Sequence, residues 1–181
     1  MKKVLYIFGQ LSDTDVDCLI NNGELETIPA NQILIRKGKS VQYLYIVLDG
    51  RFAIMAGKND DKKIAELSSG EIIGEMSFID SAPPVVTVIS EMKSEVYAIS
   101  RRKLDDRIKD DQGFGFRLMK SISLFLADRL RSTTSLFGYG DINKLEEDDV
   151  ISMDELDSMV FDNVSIAGER FSRMLSKMQH K

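Results

Sequence analysis

Residues 74–88, GEMSFIDSAPPVVTV, run from Gly74 and Glu75 through the proline pair Pro83-Pro84 to the β-branched stretch ending at Val88. A glycine and an acid opening a short helical turn present backbone N–H groups to an anion. The Glu75 carboxylate repels a phosphate but accepts hydrogen bonds from sugar hydroxyls. An N–H cradle beside a hydroxyl-accepting acid is chemistry suited to a ribose-phosphate. Yet no Lys, Arg or His stands between Lys63 and Lys93.

On either side of this run the pattern is that of short strands. ETIPANQILIRKG, YLYIVLDGRFAIMAG, KKIAELSSGEIIG, PPVVTVIS and SEVYAIS are β-branched and aromatic, and Gly38, Asp49-Gly50, Asn59-Asp60 and Ser69-Gly70 punctuate them. Asp49-Gly50 between two strand-like runs predicts a hairpin. About eight short strands at this spacing predict a sandwich or barrel-like roll rather than a parallel sheet.

Helical patterns flank the strands. SDTDVDCLINN (12–22) predicts a short helix with Ser12 as N-cap and aspartates in its first turn. After Ile99, Ser100 is placed to cap RRKLDDRIKDD. After Gly113 a long helix follows, in which Met119, Ile122, Leu126 and Leu130 recur at steps of three and four, flanked by Leu118 and Phe125. Such a face must be covered, either by the protein's own roll or by the same helix of a second copy. The second is the expectation, a homodimer through 113–134. Ser152 and Glu155 match a capping box. Leu156, Val160, Val164, Ala167, Phe171, Leu175 and Met178 then form a stripe interrupted by Gly168. That stripe is expected to pack on its own domain or on a dimer mate.

The chain of 181 residues is long enough for one well-buried domain and an appendage. Its net charge of −5 resides in 139–181, and the first 138 residues balance. Binding a nucleic-acid backbone draws on clustered Lys and Arg, so no nucleic-acid partner is expected. The single cysteine, Cys18, makes no internal disulfide and reads as a small core residue, in keeping with a reducing cytoplasm. The apolar run of MKKVLYIFGQ ends at Gln10, too short for a signal peptide, and no run reaches membrane length. The expectation is a soluble cytoplasmic protein with no membrane partner. With one histidine, His180, there is no material for a His/Cys metal cluster or a Ser-His-Asp site. The acids EEDD read as a solvated charge run and lack EF-hand spacing. GFGF lacks the strand-turn-helix setting of a dinucleotide fingerprint. No enzyme, no metal and no certain cofactor are expected.

The order of these features is specific. LYIVLDGRFAIM, the glycines Gly38, Gly50 and Gly70, the run IIGEMSFIDSAPPVVTV and the helix after SRRKL give the stretch from about Ile7 to Ser135 a resemblance to the cyclic nucleotide-binding domain of the catabolite activator protein and the protein kinase A regulatory subunits. The resemblance implies a mainly β fold with flanking helices. Its centre would be an eight-stranded antiparallel β-roll, a jelly roll followed by a long helix and an extra helical tail. The implied organisation is 1–111 for the N-terminal helix and roll, 112–137 for the long dimerisation or lid helix, and 138–181 for an acidic linker and amphipathic helix. By the same resemblance, Gly74 and Glu75 match the pair whose acid holds the ribose 2′-hydroxyl. Met76, Val85, Val86 and Thr87 complete the loop, and Thr133 and Thr134 match two hydroxyl residues that contact the base.

At one position the chain departs from the pattern. Aligning Pro83 and Thr87-Val88 with the family's loop puts Pro84 where the phosphate-binding arginine stands. Arginine brings a delocalised charge and paired donors, whereas proline brings neither and lacks its own N–H. Losing a charge-assisted pair in a desolvated pocket costs about 2–5 kcal/mol, or roughly 30- to 3000-fold in affinity. Weak or absent cAMP binding is therefore expected. Arg129 and Arg131, on the helix expected to cover the site, are the cations available as substitutes; otherwise they are solvated charges. A winged helix-turn-helix does not fit the acidic 43-residue stretch after Gly138. Two readings follow. One is a stand-alone sensor of a nucleotide second messenger, a cyclic nucleotide or cyclic dinucleotide, acting on a downstream protein partner. The other is a ligand-free dimerisation or interaction module. A DNA-binding regulator ranks third.

Overall fold

The computed structural model describes residues 4–136 and 166–176. The capping box at Ser152 and Glu155, the stripe residues Leu156, Val160, Val164 and Met178, the EEDD run and His180 lie outside them. Two helices open the chain, α1 (Val4–Gln10) and α2 (Asp13–Asn22). Strands β1 (Gly23–Ile28), β2 (Ile33–Ile35), β3 (Tyr43–Asp49), β4 (Arg51–Ala56), β5 (Lys62–Ser68) and β6 (Ile72–Ile73) follow. A single-turn helix α3 (Glu75–Asp80), strands β7 (Thr87–Ser90) and β8 (Ser94–Ser100), and helices α4 (Arg101–Asp110) and α5 (Gln112–Leu136) complete the order. Residues 166–176 form a further helix, α6.

The eight strands form two antiparallel four-stranded sheets, β1-β8-β3-β6 and β2-β7-β4-β5. The expected β-roll with flanking helices and a long helix after it is therefore present. Alternation divides the apolar residues between two cores. One fills the roll, with Ile35, Val47, Phe52, Ile54, Leu67, Ile73, Val88 and Val96. The other lies between the first sheet and the helices, joining Ile46, Ile72, Tyr97 and Ile99 to Phe8, Leu19, Leu104 and Phe114.

Asp49-Gly50 is a turn but not a hairpin. β3 pairs with β8 and β6, while β4 pairs with β5 and β7, so the turn carries the chain from one sheet to the other. A dipeptide signal fixes the local reversal; which sheet the next strand joins depends on packing far along the chain. Ser12 does cap α2: its hydroxyl accepts from the Asp15 N–H at 3.2 Å, and its own N–H donates to Asp15 Oδ2 at 2.8 Å. Ser100 takes the N-cap position of α4, but its side chain makes no capping bond. Cys18 is half-buried rather than a core residue.

The apolar face of α5 is largely covered by the protein's own chain. Phe114, Leu118, Ile122 and Phe125 are buried, and Met119 and Leu126 pack partly against the same cluster. α1, whose apolar run the sequence offered as no element, supplies Ile7 and Phe8 to that cluster. α6 joins it through Ala167, Phe171 and Met174, with the Phe8 and Phe171 rings 5.8 Å apart. Arg170 Nε donates to Asp13 Oδ1 at 2.7 Å and its Nη1 to the Phe8 carbonyl at 3.0 Å. α6 thus docks on α1 and α2 of its own subunit. Phe116 and Leu130 remain 70% and 68% exposed on α5. No helix among the described residues is long and apolar enough to cross a membrane.

Candidate functional site

α3 begins where β6 runs out. Gly74 takes φ 94°, ψ 3° at the N-cap, and a Cβ there would lie 2.9 Å from the Tyr43 carbonyl oxygen. Only glycine tolerates both the left-handed backbone and that approach. The turn delivers Glu75 into the interior, where its side chain is 5% exposed. On the other side of α3, Ala82 to Val86 form the loop into β7. The loop is held by the Gly38 N–H, which donates to the Pro84 carbonyl at 2.8 Å, and by the Ala82 N–H, which donates to Asp80 Oδ1 at 2.8 Å.

Between these segments and the roll core lies a cavity of about 300 Å³. Its wall includes Gly74, Glu75, Met76, Val85, Val86 and Arg129, six of the residues expected at the site. Thr87, Thr133 and Thr134 lie outside it. The Thr87 hydroxyl donates to Asp60 Oδ2 at 2.7 Å and accepts from the Lys37 N–H at 3.1 Å. Thr133 and Thr134 are exposed, and their hydroxyls donate to the Arg129 and Leu130 carbonyls at 2.8 Å. They satisfy their own helix, as threonines four residues beyond a carbonyl commonly do.

Arg129 is neither a solvated charge nor a neighbour confined to the loop. Its guanidinium, 24% exposed, donates from Nη1 to Glu75 Oε1 at 2.7 Å, and it sits 5.9 Å from the Phe125 ring centroid. The residue that would receive a sugar hydroxyl is therefore already paired. Burial pushes the Glu75 carboxyl above its ordinary value, and the Arg129 charge pulls it back only in part. Pro84 lines the cavity where the resemblance places an arginine. Among the described residues lining it, Arg129 is the one cation, facing two acids, Glu75 and Asp80.

The rest of the wall comes from residues that sequence reading assigned only to strands: Ile35, Ile54, Ile64, Leu67, Ile72, Ile73 and Val88. Alternation marks such residues as inward-facing, but it does not separate those that border a cavity from those that fill a core. Pairing of Arg129 with Glu75 joins positions 54 apart in sequence, and no local signal reports it.

Residues 25–111 match the family model described as the cyclic nucleotide-binding domain. The β-roll belongs to that family. The cAMP-dependent protein kinase regulatory subunit of Blastocladiella emersonii is 26% identical over 98 residues, covering 53% of this chain and 24% of that protein. The matched part thus spans about a quarter of that relative's length. A cyclic nucleotide-binding domain from Methylobacillus flagellatus superposes with a TM-score of 0.67 at 22% identity, over 80% of this chain and 84% of that one. A substituted regulatory subunit of a cAMP-independent protein kinase A from Trypanosoma brucei, bound to cAMP in its A site, gives 0.55 at 20% identity, over 74% and 44%. At these identities the solved structures show a shared fold.

Proposed function

We propose that the chain is a non-enzymatic regulatory protein whose roll senses a small ligand, and in which high-affinity cAMP binding is weak or lost. What supports this is the charge of the cavity: Pro84 lines it at the position where the resemblance puts the phosphate-binding arginine, and the one cation among the described residues of the wall, Arg129, is held by Glu75. A cyclic phosphate would meet two acids and no unpaired cation among the described residues of the wall. The family itself supports a regulatory rather than a catalytic role. Another nucleotide fits this reading only if it offers hydroxyls to Glu75 without setting charge against Pro84, a condition that the two phosphates of a cyclic dinucleotide meet poorly.

Signal output is proposed to pass from the roll through α5 and α6 to a downstream protein in the cytoplasm. α5 is proposed also to form a homodimer seam, which the exposure of Phe116 and Leu130 supports. Light scattering at high concentration tests the seam: a dimer is expected, and a monomer removes it. A second reading, a ligand-free interaction module, is favoured by the Arg129–Glu75 pair itself, since it completes the site internally. Calorimetric titration with cAMP, cGMP and cyclic dinucleotides tests the main reading. Weak or absent cAMP heat is expected, and a submicromolar affinity overturns it. If no nucleotide binds and Glu75→Ala changes neither melting nor partner binding, the module reading prevails.

A further inference from the structure

The cavity's wall suits a ligand of a particular chemistry. The loop opposite Glu75 is poor in donors: Pro83 and Pro84 have no N–H and the Ala82 N–H is engaged by Asp80, which leaves the N–H groups of Val85 and Val86. An anion placed there would meet few hydrogen bonds and the field of Glu75 and Asp80. The interior wall is aliphatic, and Ile54, Leu67 and Val88 border the cavity while being less than a tenth exposed. The rim is apolar too, with Ile64, Met76 and Val85 at 52%, 59% and 72% exposure. Against this apolar surface, Glu75 is a hydrogen-bond acceptor fixed in place by Arg129.

We propose that the cavity binds an uncharged, predominantly apolar small molecule bearing one hydroxyl group. The hydrocarbon body lies along Ile54, Leu67 and Val88, and the hydroxyl donates to Glu75. This rests on the reading of the roll as a ligand sensor and names the ligand class for the same cavity. A volume of about 300 Å³ lies at the lower end of small-molecule sites, so the ligand is compact and covers the exposed rim when bound. Burial of its chain supplies the affinity and the hydroxyl sets its direction. An equivalent carboxylate is disfavoured because it would place a third negative charge beside Glu75 and Asp80.

The full chain is titrated with the neutral fluorophore N-phenyl-1-naphthylamine, which is then displaced by straight-chain alcohols from 1-hexanol to 1-decanol and by decanoate. The expected result is saturable displacement that strengthens roughly fourfold per added methylene and levels off once the cavity is full. Decanoate is expected to bind at least about tenfold more weakly than 1-decanol. Glu75→Gln is expected to weaken 1-hexanol about tenfold relative to hexane, which offers no hydrogen bond to Glu75, each read by displacement. Val86→Trp and Ile64→Trp fill the cavity from opposite sides, and either one that melts as the parent does should abolish displacement. Absence of saturable binding, affinity independent of chain length, decanoate matching decanol, or a folded filled variant that still binds overturns the proposal. Submicromolar cAMP binding in the same assay removes instead the reading of Pro84 as a lost phosphate site, on which it also rests.

Discussion

Removing the guanidinium at position 129 strands a buried acid, and the consequence depends on pH in a defined direction. In the Arg129→Ala variant, Glu75 keeps its 5% exposure but loses its 2.7 Å partner. Breaking a buried ion pair by deleting one member costs about 3–5 kcal/mol. Arg129 is 24% exposed, so water replaces part of what it provided, and the expected loss is about 2–3 kcal/mol at neutral pH. For a chain of this size that is a fall of roughly 4–12 °C in melting temperature. The folded-state pKa of Glu75 already lies above its unfolded value because burial outweighs the attraction of Arg129. Between those two values the folded chain holds a proton that the unfolded chain has lost, so stability rises as the pH falls through the window. Removing Arg129 raises the folded value further and widens the window upward. The deficit of Arg129→Ala relative to the parent should therefore be largest at and above neutral pH and shrink toward about pH 5. Adding Glu75→Gln should recover most of it at neutral pH. Calorimetric melting across that range checks both expectations. A deficit of equal size at all pH values, or a double variant no more stable than Arg129→Ala, refutes the assignment of Glu75 as the buried charge that Arg129 neutralises.

Three further outcomes follow from the packing. Asp15→Asn removes the N3 carboxylate of the α2 capping box and the two-bond grip on Arg117, whose Nε and Nη2 donate at 2.6 and 2.9 Å. The expected loss is about 2–4 kcal/mol by urea unfolding. Burial raises the Asp15 pKa, but hydrogen bonds from Arg117 and Ser12 outweigh it and hold the carboxyl below its ordinary 3.8. Its stabilisation is therefore complete above that value and disappears as the pH falls through the lower, folded one. Gly74→Ala forces a Cβ toward the Tyr43 carbonyl at a positive φ and should cost about 1–3 kcal/mol in the same assay. Phe171→Ala should release α6 from α1 and α2 while leaving the roll folded. Limited proteolysis is then expected to remove the tail faster without lowering the melting temperature of the core, and concerted unfolding of the whole chain counts against a separately docked tail.

The sequence made the roll readable because strand alternation, turn glycines and the GEMSFIDSAPPVVTV run are all local signals. Ser12 is equally local as an N-cap, and the structure adds a capping box that it closes with Asp15. What local spacing could not supply was partnership across the fold. Asp49-Gly50 announced a reversal but not the change of sheet. Arg129 was recognisable as a cation on a covering helix, yet its partner follows from how α5 lies over α3. Thr133 and Thr134 had the right residue type at the expected place, but their hydroxyls bond the carbonyls one turn back. The stripe on α5 demanded cover, and much of that cover came from α1 and α6, whose approach depends on the tertiary fold.

The central claim is that the phosphate half of the site was lost with the arginine. Pro84→Arg tests it most directly, because Pro84 lines the cavity and its carbonyl bond to Gly38 is open to any residue. Calorimetric titration of cAMP into the parent and the variant should give little or no heat for the parent and at least about thirtyfold tighter binding for Pro84→Arg. Submicromolar binding by the parent, or no gain in the folded variant, contradicts the account.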